Sequence, residues 1–395
     1  MKQILSFLCM ALLLTMLTSC SGSQLPEQGG TNIDNSTMDR NESYSDNTSA
    51  GSVEKISLTD LESNKQQEIE KVMNFSCKNL EFVNRFTFDV PDEIGKYKIM
   101  CIDNFQDNWD ELAEKYIPVD MYDDSKVIED ERYYPYGPEF DDEESGRHIS
   151  VGCIGFFNYI EKTMSDFMQD VLYGGDSIVS QNTYYLNGDY TNDVYRLKEE
   201  DVSISEAVAT ATDFVSDFIQ VSGFPQELKP VLVAAYEDET ENTVINVQFS
   251  NLYKELPMFI MIDKYSDLEL SELDFDLFGY PDAVSYSDEN DNIKFFSVQF
   301  AFEDYETIET YDTIITPESA VRLLSEKLSS YSQYDVIGME LVYCPLRDKE
   351  SMICSNDIVE LSPCWAIYMD VTPDREIYGL VDCVTGEVGF VNNQR

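Results

Sequence analysis

Positive charge is what this sequence has least of. Its 395 residues carry 26 Lys and Arg against 76 Asp and Glu, a formal net charge of -50 at pH 7. Nucleic-acid binding draws its affinity from clustered Lys and Arg that neutralise phosphates, so that role is excluded. Histidine is almost missing too, with His148 the single copy. The nine Cys include no C-x-x-C pair, which with one His leaves no zinc-type spacing. A Cys/His nucleophile would have to use His148, and Cys153, five residues on, falls on the opposite face of a strand. There is no G-x-S-x-G elbow. Asp288, Asn290 and Asn292 imitate the first ligands of a calcium loop, but Ile293 stands where the loop needs Gly and Gln299 where it needs Glu. No metal and no cofactor is expected. With 76 acids, paired carboxylates arise by chance and single out no site. After the first twenty residues no run of 18 apolar residues occurs, so no later segment is read as membrane-spanning.

Apolar and aromatic residues are plentiful. They make up 43% of the chain, with 25 Tyr and 22 Phe, enough to build cores and to exclude disorder throughout.

The first signal with an address is N-terminal. Lys2 precedes the apolar run Ile4–Leu14, which has the length of a secretory h-region and is too short to cross a bilayer. The run ends in Leu17-Thr18-Ser19-Cys20, which resembles the lipobox of bacterial lipoproteins. That resemblance implies a signal peptide over 1–19, cleavage before Cys20, acylation of its thiol, and anchoring at the outer face of the cell membrane. Two or more acyl chains hold stably where one does not, at ~0.8 kcal/mol per buried methylene. Eighteen of the 32 residues from 21 to 52 are Ser, Thr, Asn or Gly, so 20–52 reads as a flexible tether. A coil of this length spans ~31 Å, enough to hold a folded head clear of lipid headgroups.

Three further regions follow. Residues 53–200 read as an N-terminal α+β region with a polar helix near 58–74, a second near Trp109–Tyr116, and a hairpin turning at Asn187-Gly188. Residues 201–312 open on Ser203-Ile204-Ser205-Glu206, a capping box, followed by an apolar stripe at 204, 207, 208, 211, 214, 215, 218 and 219 and then by strands. Residues 313–395 repeat the plan: Thr316-Pro317-Glu318 caps a helix striped by Ala320, Val321, Leu324, Leu328 and Tyr331, and strands follow. The expected fold class is therefore α+β, built of repeated units of one amphipathic helix packed on an antiparallel sheet.

The last eighty residues carry Pro363-Cys364-Trp365 entering one strand and Asp382-Cys383-Val384-Thr385-Gly386-Glu387 closing the next. This pattern resembles PepSY-like domains, and more closely the YycI-type membrane-tethered regulators of Gram-positive bacteria. The resemblance rests on Pro363, Trp365, Asp382, Thr385, Gly386 and Glu387 and implies a regulatory, non-enzymatic domain. These residue types also have structural roles: Trp365 in a core, Gly386 at positive φ, and Asp382 or Thr385 bonding turn amides. If Pro373-Asp374 is a two-residue turn, Cys364 and Cys383 face one another. A disulfide and a pair of buried free thiols both satisfy that pattern.

The expected function is a lipid-anchored, extracytoplasmic, non-catalytic binding or regulatory protein. Its partners would be the membrane, through Cys20, and an envelope protein or peptide; nucleic acid is not among them. The alternative is a carboxylate-dependent cell-wall hydrolase with its site in residues 75–160.

Overall fold

Both long helices form where their local signals place them. Ser203 Oγ accepts the Glu206 amide while the Glu206 carboxylate accepts the Ser203 amide, and the helix Ile204–Ser222 runs from this box to Gly223. Thr316 accepts the Ser319 amide and Pro317 opens the helix Pro317–Lys327. The polar segment near 58–74 forms two helices, Leu58–Ser63 and Lys65–Met73, separated at Asn64, and Trp109–Tyr116 is helical as expected. In chain order these are α1 (Leu58–Ser63), α2 (Lys65–Met73), α3 (Trp109–Tyr116), α4 (Ile204–Ser222) and α5 (Pro317–Lys327).

This computed structural model describes residues 53–394 apart from 78, 103–108, 117–126, 129–135, 143–146, 153–155, 162–170, 172–176, 188–189, 198–199, 241, 260–261, 264–270, 273–281, 286–292, 299, 329–332, 348–355 and 373–374. The expected signal peptide, Cys20 and the expected tether lie outside the described residues.

The expected plan of repeated helix-on-sheet units is overturned. Strands dominate, with five helices among the described residues, and the architecture is β-rich with several sheets. The reason is long-range pairing. One sheet of ten strands joins Val127–Ile128, Tyr136–Asp142, Arg147–Gly152, Phe157–Glu161 and Ile178–Tyr185 to strands between Leu228 and Val298. A second, of nine strands, is built on Tyr334–Arg347, Ile358–Thr372, Arg375–Asp382 and Val388–Gln394, yet also takes in Leu80–Phe82, Gly95–Cys101 and Phe302–Thr310. Each sheet thus draws on segments far apart in sequence, where a repeat would draw only on its own. The two arms of the hairpin expected at Asn187-Gly188 pair elsewhere among the described residues: Ile178–Tyr185 with Leu228–Asp238, and Val194–Leu197 with Glu200–Ser203.

Helix α4 lays Ala207, Ala211, Val215 and Phe218 onto the ten-stranded sheet, where Phe218 meets Phe157 and Phe296 at ring separations of 4.8 Å each. The nine-stranded sheet has apolar residues on both faces. On one, Trp365 is fully buried, its ring edge-on to Phe88 at 5.1 Å, and Leu324 of α5 packs on Gly379 so closely that a Cβ there would sit 2.5 Å from Leu324 Cδ1. On the other, Phe259, Val342, Cys344, Cys364, Ala366, Tyr368, Tyr378 and Leu380 form a smaller cluster.

The two sheets are joined. Strand Thr243–Tyr253 pairs inside the ten-stranded sheet, and the chain just past it touches the other: Leu256–Pro257 folds back on Leu252 and Tyr253, Met258 bridges Tyr343, and the Phe259 amide donates to the Tyr343 carbonyl at 2.7 Å. The buried Gln226 side chain donates to the Phe302 carbonyl at 2.6 Å and accepts the Phe302 amide.

Candidate functional site

Pro363, Trp365, Asp382, Thr385, Gly386 and Glu387 lie toward the end of the hairpin formed by Ile358–Thr372 and Arg375–Asp382 that is away from its turn. The Asp382 carboxylate accepts the amides of Val384 at 2.9 Å and Thr385 at 2.7 Å and the Ser362 hydroxyl at 3.0 Å, with Lys96 Nζ 3.9 Å away. Thr385 Oγ1 accepts the Glu387 amide, and Gly386 takes φ +78°, a left-handed conformation that disfavours a side chain. Burial works to raise the Asp382 carboxyl, but the turn amides, Ser362 and Lys96 outweigh it and hold it below the usual carboxylate range. Trp365 donates its indole N–H to the Ile315 carbonyl at 2.8 Å, and Pro363 opposes Tyr343 across the ladder. Trp365 thus has a core role here, and Asp382, Thr385 and Gly386 have turn roles.

Cys364 and Cys383 are not brought together. The register shifts between Asp370 and Thr372, so Cys364 faces Asp382, one residue short of Cys383. Adjacent strand residues point to opposite faces, and the thiols lie in separate cores: Cys364 beside Val342 and Cys344, Cys383 among the residues under α5. Neither forms a disulfide, and Cys77 and Cys344 are thiols as well. The neighbouring Cys344 and burial push the Cys364 thiol well up, and burial does the same for Cys383. Cys153 and Cys354 lie outside the described residues.

Polar side chains converge elsewhere, at a cavity of about 90 Å³ where the two sheets approach one another. Its wall takes Thr87, Phe88 and Asp89 from the segment after Leu80–Phe82, Leu186 and Asn187 from the end of Ile178–Tyr185, Lys229, Pro230 and Val231 from Leu228–Asp238, and Glu340 from Tyr334–Arg347. One backbone bond and one ring stack join the walls: the Thr87 amide donates to the Asn187 carbonyl, and the Tyr185 ring stacks on Tyr368 at 5.5 Å.

Glu340 is the chemical centre of this cavity. It is half-buried and accepts the Tyr368 hydroxyl. Burial raises its carboxyl above the ordinary range, against the hydrogen bonds from Tyr368 and Asn187 and the Lys229 ammonium. Lys229 is ion-paired with Asp89. The Asn187 Oδ1 atom is buried and has no hydrogen-bond partner among the described residues. Two carboxylates therefore share one ammonium, and one acceptor is unmet. Among the described residues no group of three or more His, Cys, Asp or Glu is placed to hold a metal.

Sequence reasoning passed over this site. A usable signal existed in Glu340, a lone acid inside the apolar run Ile337–Tyr343 of a strand buried on both faces. Asn187 reads locally as a turn residue, and nothing in the nearby sequence ties either residue to Lys229 or Asp89.

No family model matches the chain, and no curated protein does. The fold is similar to the crystal structure of an uncharacterized protein from Eubacterium rectale ATCC 33656, with a TM-score of 0.52 and 12% identity over 82% of this chain and 98% of that one. At that identity the likeness concerns the fold alone.

Proposed function

We infer that this protein is a lipid-anchored, non-catalytic binding or regulatory module, held by acyl chains on Cys20 at the outer face of a bacterial membrane and acting on an envelope protein or peptide. The address is supported by Leu17–Cys20 and the polar tether. The resemblance to PepSY-like and YycI-like domains supports a regulatory role, its motif residues being engaged in a turn and a core. The observation that carries a binding role is the cavity at the meeting of the sheets, whose polar wall holds an unmet acceptor beside a desolvated carboxyl. Native protein should fractionate with membranes and Cys20→Ala should not. Pull-down of the mature chain from envelope extract should recover a specific partner; a Cys20→Ala protein that stays with the membrane, or a pull-down that recovers nothing, overturns the reading.

A second reading keeps one supporting observation. Glu340, with its raised carboxyl, lies near Asp89, an acid within the 75–160 stretch, which is the kind of pairing an acid-catalysed wall hydrolase uses. Release of soluble fragments from purified peptidoglycan, abolished by Glu340→Gln, would favour hydrolysis over binding.

A further inference from the structure

The geometry points to a ligand class for the cavity: a primary ammonium on a short alkyl stem, as a lysine side chain of the partner would present it. This rests on the binding reading above and specifies what is bound.

The argument is one of unmet demand. The groups facing Glu340 are Tyr368 from the neighbouring strand, Asn187 from the end of Ile178–Tyr185, Lys229 from Leu228–Asp238, and Asp89 from the segment before Gly95–Cys101. Lys229 is committed to Asp89 by an ion pair, so the cavity keeps the charge of one carboxylate in excess once Glu340 is ionised. Its open capacity is for accepting hydrogen bonds, because Asn187 Oδ1 has no donor among the described residues and a carboxylate offers about four lone-pair sites. An entering anion would meet two carboxylates. An entering ammonium brings three donors and cancels the excess charge.

Size and lining restrict the stem. One water needs roughly 10–15 Å³ of such space, so a cavity of about 90 Å³ takes a chain end of a few heavy atoms and no nucleotide or oligosaccharide. Phe88, Leu186, Pro230 and Val231 give it apolar walls, against which methylenes pack while the charged end reaches Glu340. The whole chain, at -50, attracts cationic segments from a distance.

Because the site needs Glu340 ionised and burial holds its carboxyl up, affinity must rise with pH through that raised range, and binding must release a proton below it. The ligand amine, with an ordinary value near ~10.4, stays charged throughout.

The test is titration of the mature chain from residue 20, in detergent, with Nα-acetyl-lysine methylamide, followed by calorimetry at pH 5, 6 and 8 in buffers of different ionisation enthalpy. Nα-acetyl-norleucine methylamide, of the same stem without the charge, is the control. The lysine probe should bind saturably, at least tenfold more tightly than the control and more tightly at pH 8 than at pH 5, with more proton release at the lower pH values than at pH 8. Glu340→Gln keeps the shape of the side chain and should cost at least tenfold with the melting temperature retained. Equal binding of both probes, no binding, or unchanged affinity in Glu340→Gln overturns the inference. If the lysine probe fails while pull-down still recovers a partner, the ligand class is wrong and the binding role stands. If the probe binds while nothing is recovered, the cavity assignment stands and the protein-partner reading falls.

Discussion

Removing the Asp382 carboxylate gives the sharpest test of the energetics. In Asp382→Ala three donors lose their acceptor: the Val384 amide at 2.9 Å, the Thr385 amide at 2.7 Å and the Ser362 hydroxyl at 3.0 Å. Val384 is half-buried and Thr385 exposed, so water replaces most of what their amides lose. Ser362, 2% exposed, has no such recourse, and a buried donor left without an acceptor costs about 1–3 kcal/mol. The Lys96 contact, at 3.9 Å and partly exposed, adds less than about 1 kcal/mol. The expected loss is about 3 kcal/mol at pH 7, and about half that for Asp382→Asn, which keeps an acceptor for the turn amides.

The pH dependence follows in sign. The folded-state carboxyl is held below its unfolded value, so its contribution is complete above an unfolded pKa of ~3.9 and vanishes as pH falls through the folded value. Urea unfolding monitored by Trp fluorescence should show a lower midpoint with unchanged slope at pH 7, the gap to wild type narrowing toward pH 3. A loss below about 0.5 kcal/mol at pH 7, or one of equal size at both pH values, would refute the reasoning.

Other perturbations have equally definite expectations. Gly379→Ala drives a methyl into Leu324 at 2.5 Å and should cost about 1–3 kcal/mol, read as a lower melting temperature that Leu324→Ala partly restores. The turn between Tyr253 and Leu256 holds Lys254 at φ 45° and Glu255 at φ 70°, a conformation that suits Gly; Glu255→Gly should stabilise by about 0.5–1 kcal/mol despite losing the exposed Asp92 amide bond. Of the five described cysteines only Cys77 is more than marginally accessible, so an aromatic disulfide reagent should leave Cys101, Cys344, Cys364 and Cys383 unmodified until urea unfolds the protein; mass mapping of the labelled sites checks this.

What could be read from the chain was what is encoded locally. The capping box at Ser203 and the Thr316-Pro317 start involve residues within one helical turn, and both helices begin there. Trp109–Tyr116 was legible for the same reason. Pairing is a different kind of information. Arg147–Gly152 lies against Phe157–Glu161, but that strand's other neighbour is Ile293–Val298, more than a hundred residues on, and an alternating pattern does not name its partner. A single irregularity between Asp370 and Thr372 moves every later cross-strand pair by one, enough to send Cys383 to the opposite face from Cys364. The cavity was hidden for both reasons at once, since Asp89, Asn187, Lys229 and Glu340 sit on four separate segments.

The interleaving of the sheets also bears on how the molecule comes apart. A chain severed near residue 200 would leave Ile178–Tyr185 without Leu228–Asp238, and one severed near 312 would strand Phe302–Thr310 away from the core that Tyr334–Gln394 completes. The chain just past Thr243–Tyr253 and the Gln226 side chain fasten the two sheets to one another. A molecule of this build comes apart as a unit: a cut between the paired segments costs both sheets at once.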